Sequence, residues 1–368
     1  MRTLPPFRAD HVGSLLRPAA LKEARARRDQ GAITPDELKT IEDREIARVI
    51  DKQQSLGLQA ATDGEFRRAM WHFDFLENLD GVQGFRADHG IDFKGGIETA
   101  PKGLRVTGML GFSGHPMLDH FRFVKNHSNG LAAKMTIPSP SVLHFRGGRK
   151  AVDPAVYPDM NEFYLDLAEA YRLAVRAFAD AGCRYLQLDE VNFTYLCDEE
   201  QRAALRARGD DPDQLPGIYA AMLNHAISGR PADMVITMHL CRGNFRSSWI
   251  ASGGYDAVAD VLFGQIDVNG YFMEYDTERA GGFEPLRLAP KNKTVVLGIV
   301  SSKTAELESK DDLKRRIDAA AKYIDIGQLC LSPQCGFAST EEGNLLTEDQ
   351  QWAKLARVLE VAHEVWGD

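Results

Sequence analysis

Eight short apolar runs alternate with longer helical patterns along the chain, and this rhythm restricts the fold more than any other feature. The runs are 9–14 (ADHVGS), 58–63 (LQAATD), 133–138 (AKMTIP) and 184–189 (RYLQLD), then 234–239 (MVITMH), 270–275 (GYFMEY), 295–300 (VVLGIV) and 328–332 (QLCLS). Between them lie helical candidates at 35–56, 161–181, 199–228, 311–325 and 347–366. The clearest is NEFYLDLAEAYRLAVRAFADA at 161–181, whose apolar positions recur every three or four residues until Gly182 ends it. Thr34-Pro35 and Thr347-Glu348 have the character of helix starts. Strands alternating with helices predict a parallel sheet, and eight such units predict an α/β protein of the (β/α)8 TIM-barrel type.

The segment from about 82 to 130 breaks the rhythm. It is rich in Gly and His (GVQGFRADHG, FKGG, GMLGFSGH) and too long for an ordinary βα loop. It reads as an inserted, hairpin-like arm following a helix at 65–79. With no Pro/Ser linker and no internal repeat, residues 1–368 are expected to form one catalytic barrel domain.

Composition narrows the function. A formal net charge of −9, with acids and bases interspersed and no basic tract, argues against nucleic acid as a partner. No apolar run reaches the roughly 18 residues of a membrane span. Five scattered cysteines make no disulfide framework, and the first residues, MRTLPPFRADHVGS, lack the apolar core of a secretory signal. A cytoplasmic protein acting on small molecules is expected, with its oligomeric state left open.

A barrel of this kind places its reactive groups at strand C-termini. The runs end in His11-Val-Gly-Ser14, Asp63-Gly-Glu65, Asp189-Glu190, His239-Leu-Cys241 and Glu274, and the last leads into Cys335. His239 and Cys241 are two apart in an extended run, so both side chains point to one face. Neighbouring strand ends bring Glu274 and Cys335 toward them. One nitrogen, two sulfurs and one oxygen form a ligand set that suits Zn²⁺. Taken alone a His-x-Cys pair is weak, because cysteine is often just a small buried residue. Cys183, Cys197 and Cys330 are expected to pack in that way, whereas Cys335 sits in a loop between Pro333 and Gly336.

The ordered motifs VGS (12–14), DGEF (63–66), LDE (188–190), HLC (239–241), MEYD (273–276) and PQCG (333–336) resemble the cobalamin-independent methionine synthase family, over its C-terminal catalytic barrel. The resemblance implies a zinc ion held by His239, Cys241, Glu274 and Cys335. It also implies a homocysteine site, with Glu65 and Asp189 on the ammonium and the Gly13-Ser14 turn on the carboxylate. The activity implied is that of a 5-methyltetrahydropteroyltriglutamate–homocysteine S-methyltransferase.

The pattern is broken at the catalytic acid. The family histidine on the loop after the seventh strand is absent from GIVSSKTAELE, where Lys303 is the nearest equivalent, and His11 is a second candidate. The second, N-terminal barrel of the full-length synthases has no counterpart in this chain. Several assignments stay open on sequence grounds. Glu65 could be a first-turn helix acid, Glu190 could replace Asp189, Arg67 and Arg68 could bind an anionic tail or decorate a helix, and Phe145 could stack on a donor ring or fill a wall. Alternative functions are alkylation of another thiol, such as coenzyme M by an epoxide, or a non-catalytic zinc- or thiol-binding module.

Overall fold

The computed structural model describes residues 2–367. Its strands are β1 (Ala60–Ala61), β2 (Asp80–Arg86), β3 (Asp92–Phe93), β4 (Ile97–Glu98), β5 (Lys102–Gly111), β6 (Ala132–Pro138), β7 (Tyr185–Glu190), β8 (Val235–Leu240), β9 (Gly270–Glu274), β10 (Thr294–Val300) and β11 (Leu329–Pro333). Seven of them form one curled parallel sheet in the order β1-β6-β7-β8-β9-β10-β11. This is a TIM-barrel-like α/β architecture, as the alternating pattern predicts.

The first apolar run, expected as a full strand over 9–14, pairs at one point only, a parallel bridge between Ala9 and Leu331. The Asp10 amide donates to the Leu331 carbonyl at 3.0 Å, and the Leu331 amide to Arg8 at 2.8 Å. Beyond that bridge Gly13 turns to φ +142°, which ends regular pairing. On the other flank, Thr62 Oγ1 donates to the Gly13 carbonyl at 2.6 Å and the Leu15 amide to Gly64 at 3.0 Å. The ring is thus closed by an irregular segment.

The helices on the outer face follow from their ends. Thr34 and Glu37 form a capping box that starts helix Pro35–Leu56, and Gly57 in the left-handed region stops it. A second capping box, Thr347 with Gln350, starts helix Glu348–Trp366. Helix Met160–Asp180 begins on the Asp159 cap and buries Leu167, Tyr171, Val175 and Phe178. Leu167, Val175 and Phe178 each contribute roughly 1.5–3 kcal/mol by leaving water. The expected helix at 199–228 is two, Glu199–Arg208 and Leu215–Ile227, because Gly209 turns to φ +96° between them.

The expected helix at 65–79 shrinks to one turn, Phe73–Leu76. The chain enters that region through consecutive left-handed residues, Gly64 (φ +64°) and Glu65 (φ +60°), which no helix accommodates. Within 82–130, β2 and β5 pair as an antiparallel ribbon, with β3 and β4 as a small second pair between them. Helix Met117–His127 then packs against β6 and helix Pro35–Leu56. Among the described residues, no helix is long and apolar enough to cross a membrane.

Candidate metal centre and thiol cleft

The strand registers set the site. Asp189 on β7 lies level with His239 on β8, and Glu274 closes β9 opposite Gly298 of β10. Cys241 follows β8 and stays tied to it, its amide donating to the Glu190 carbonyl at 3.0 Å. Cys335 follows β11 by the same device, through the Gln334 amide on Val300 at 2.8 Å.

One candidate ligand atom from each of His239, Cys241, Glu274 and Cys335 lies within 4.8 Å of all the others, and all four residues are buried. The two sulfurs are 3.5 Å apart. Among the described residues this is the one His/Cys/Asp/Glu group so arranged. Neither ring nitrogen of His239 and neither oxygen of Glu274 has a hydrogen-bond partner. A buried polar atom left unpaired costs about 1–3 kcal/mol, more if charged, and four in one cluster call for a cation. The residues present therefore fit a metal ion.

Electrostatics agree with that reading. The hydrogen bond from Cys241 and the neighbouring His239 hold the Cys335 thiol well below its usual range, while the same bond pushes Cys241 well above. Burial lowers the His239 imidazole, but Cys335, Asp189 and Glu274 together outweigh it and raise the group. Burial raises the Glu274 carboxyl against the pull of Lys303 and Arg279. Arg279 stands 3.5 Å from Glu274 Oε2 and Lys303 Nζ 4.0 Å from Oε1.

A cleft of about 590 Å³, counted with its open mouth, leads to this centre. Ser14, Glu65, Asp189, His239, Cys241 and Cys335 all line it. Glu65 is locked in place, with Thr136 Oγ1 donating to Oε1 at 2.8 Å and Arg68 3.3 Å away, yet its buried Oε2 has no partner. Burial raises its carboxyl, opposed by Arg68 and Arg17. Burial and the nearby Glu65 push Asp189 up to about 7. Gly13 does not line the cleft; it makes the turn that delivers Ser14, and a Cβ there would meet Thr136 Cγ2 at 2.7 Å.

Other candidates lie elsewhere. Neither His11 nor Lys303 lines the cleft. The His11 ring is buried beside Ala60 and Gln53, and burial lowers its pKa to about 4. Lys303 is buried in the loop after β10, its Nζ 4.0 Å from Glu274 Oε1 and its charge also felt by the Cys241 and Cys335 thiols. Glu190 is occupied by the Asn192 amide at 2.6 Å and by the Ser141 hydroxyl, so it offers nothing to a ligand. Arg67 is bound to Glu42 and Asp43, and Phe145 is wall packing against Tyr195, with ring centroids 5.6 Å apart. Cys183 and Cys330 are buried with their thiols pushed up to about 12.

Sequence reasoning missed Trp71, His72, Arg146, Tyr195 and Asn244, all of which line the cleft. Trp71-His72, an aromatic pair in a loop just after DGEF, was the available signal. Ile91 and Phe93 of the arm also reach the cleft. Asn244 is fixed by donating to the Gly336 carbonyl at 2.7 Å.

An imidazole, two thiols and a carboxylate gathered at strand ends beside a cleft with two further carboxylates define a class of TIM-barrel-like proteins with a candidate metal site. Comparison with known proteins gives the family: residues 147–363 match the catalytic domain of cobalamin-independent synthase, and the chain belongs to that family. Two Bacillus subtilis (strain 168) proteins of uncharacterized function, YxjH and YxjG, are 51% and 50% identical over 98% and 99% of this chain and 95% and 96% of their own lengths. A crystal structure from Listeria monocytogenes with a provisional vitamin-B12 independent methionine synthase assignment is 40% identical, with a TM-score of 0.80 and full coverage of both chains. The family is one of methionine synthase-like methyltransferases.

Proposed function

We propose that the protein is a zinc-dependent thiol methyltransferase that moves a methyl group from methyltetrahydrofolate, or another donor, to homocysteine to form methionine. The observation that carries this reading is the placement of Glu65 and Asp189 in the same cleft as His239, Cys241 and Cys335. A thiol bearing an ammonium group meets carboxylates at one end and the metal centre at the other. Family membership supports methyl transfer as the chemistry. On this reading residues 1–368 act as one catalytic domain, in the cytoplasm.

Zinc, held by His239, Cys241, Glu274 and Cys335, would stabilise the substrate sulfur as its thiolate. The protein supplies the remainder. Glu65 Oε2 and Asp189 accept the ammonium in charge-assisted hydrogen bonds, and the turn at Gly13-Ser14 receives the carboxylate. Arg68, Arg17 and Thr136 hold Glu65, so little ordering is needed on binding. The sulfur–carbon bond forms as the N5–carbon bond of the donor breaks, and the proton released by the thiol balances the one taken up by N5. Coenzyme M, whose sulfonate would face Glu65 and Asp189, is a poor fit to the same cleft.

The test is transfer of labelled methyl from methyltetrahydrofolate to homocysteine by protein carrying about one zinc per chain. Zinc-loaded protein that neither binds homocysteine nor methylates it would overturn the reading.

A further inference from the structure

Three cations, Arg242, Arg279 and Lys303, stand close to Glu274, and none of them lines the thiol cleft. Arg279 is shared, 2.8 Å from Asp276 and 3.5 Å from Glu274. The other two are uncommitted. Lys303 is buried with its Nζ 4.0 Å from Glu274 Oε1, too far for a hydrogen bond, and that nitrogen has no hydrogen-bond partner. Arg242 follows Cys241 directly, is 0% exposed, and none of its guanidinium nitrogens has a hydrogen-bond partner.

The Arg242 guanidinium lies 4.6 Å from the Tyr255 ring, and the Tyr255 hydroxyl donates to the Glu274 carbonyl at 3.1 Å. Burial lowers the guanidinium, but Tyr255, Cys197 and Glu274 outweigh it and raise the group. Burying a charge without a counter-charge is costly, and here it is done twice beside one carboxylate. With a divalent ion balancing the Cys241 and Cys335 thiolates, Glu274 is one anion facing two free cations. The centre lacks a negative charge.

We propose that Arg242 and Lys303 make this centre select sulfur by charge, holding an anionic thiolate and letting go of a neutral thioether. This rests on the methyltransferase reading and deepens it. Methyl transfer turns the thiolate of homocysteine into the thioether of methionine, so the attraction that favours the substrate ends once its sulfur is methylated. The ammonium and carboxylate are the same in both molecules and give no such discrimination. Neither cation touches the substrate; both act through space, in buried surroundings that screen charge far less than water does.

The test is calorimetric binding of homocysteine and of methionine to the zinc-loaded protein, with zinc content measured on each sample. Wild-type protein should bind homocysteine more tightly than methionine. Arg242→Met and Lys303→Met should each keep zinc and weaken homocysteine binding by at least about tenfold, the equivalent of about 1.4 kcal/mol. Methionine binding should change by less than about twofold. Arg242→Lys and Lys303→Arg, which keep the charge, should restore most of the preference. If Arg242→Met does not fold, Lys303→Met reads the same ratio by itself. An equal loss for both ligands, a preference intact in the Met variants, or loss of zinc from them overturns the inference and leaves the methyltransferase reading standing. Zinc-loaded wild type that binds neither ligand overturns both.

Discussion

The Sγ atoms of Cys241 and Cys335 stand 3.5 Å apart although 94 residues separate them in the chain. The contact joins the segments that follow β8 and β11, two strands that are not neighbours in the sheet. The first prediction is that Cys241→Ser and Cys335→Ser each reduce bound zinc from about one per chain to near none, measured by elemental analysis. Because a metal bound only by the folded state stabilises it, chelation should lower the melting temperature of wild type and leave either variant unmoved. Full zinc in a variant would remove that cysteine from the ligand set.

The second prediction separates substrate recognition from metal. Glu65→Gln should keep zinc and weaken homocysteine binding by about 1.5–3 kcal/mol, the worth of one charge-assisted hydrogen bond. A thiol without an amino group should bind wild type and variant equally. Titration of both thiols into metal-loaded protein checks this, and an equal loss for both would show that Glu65 serves the fold and not the ammonium.

The third concerns pH. The Asp189 carboxyl is raised from an ordinary 3.8 to about 7 by burial and by Glu65. Between those values the folded protein holds a proton that the unfolded chain does not, so this group makes stability fall as pH rises from the lower value to the upper. Asp189→Asn should flatten that decline, read from melting temperatures across the range. The ammonium of the substrate prefers the ionised carboxylate, so homocysteine affinity should tighten as pH rises through about 7, and the variant should lose one proton's worth of that slope.

The fourth concerns Lys303. Because its Nζ faces Glu274 at 4.0 Å and not the cleft, Lys303→Ala should slow turnover equally with methyltetrahydrofolate and with a sulfonium donor. A loss confined to the folate would make it the acid that protonates the departing nitrogen.

The cluster of His239, Cys241, Glu274 and Cys335 is legible because each lies at or just beyond the end of an apolar run with a distinct local spelling: HLC, MEYD, PQCG. Strands of five or more residues, such as β7 and β10, announce themselves by continuous burial. The closing strand did not, since Ala60–Ala61 is two residues long and the 9–14 segment keeps a single bridge. The helix expected at 65–79 failed for a backbone reason, the two left-handed residues at its start, which side-chain periodicity does not encode. Arg146, Tyr195 and the arm residues reach the cleft through tertiary contacts that leave no local period. His11 and Lys303 were placed by strand-end logic that says where a residue lies, but not which way its side chain turns.

Ser14 and Gly336 meet so closely that a Cβ on Gly336 would stand 1.9 Å from Ser14 Oγ, and the Phe337 amide donates to the Ser14 carbonyl at 2.9 Å. The wall of the thiol cleft is thus shared between the irregular segment that precedes β1 and the loop that follows β11. On the ribosome, a nascent chain has no finished cleft until β11 and the PQCG loop have left the exit tunnel. Until then β10 presents an unpaired edge, open to pairing with other chains. The cleft therefore cannot be completed before the last strand of the sheet is in place.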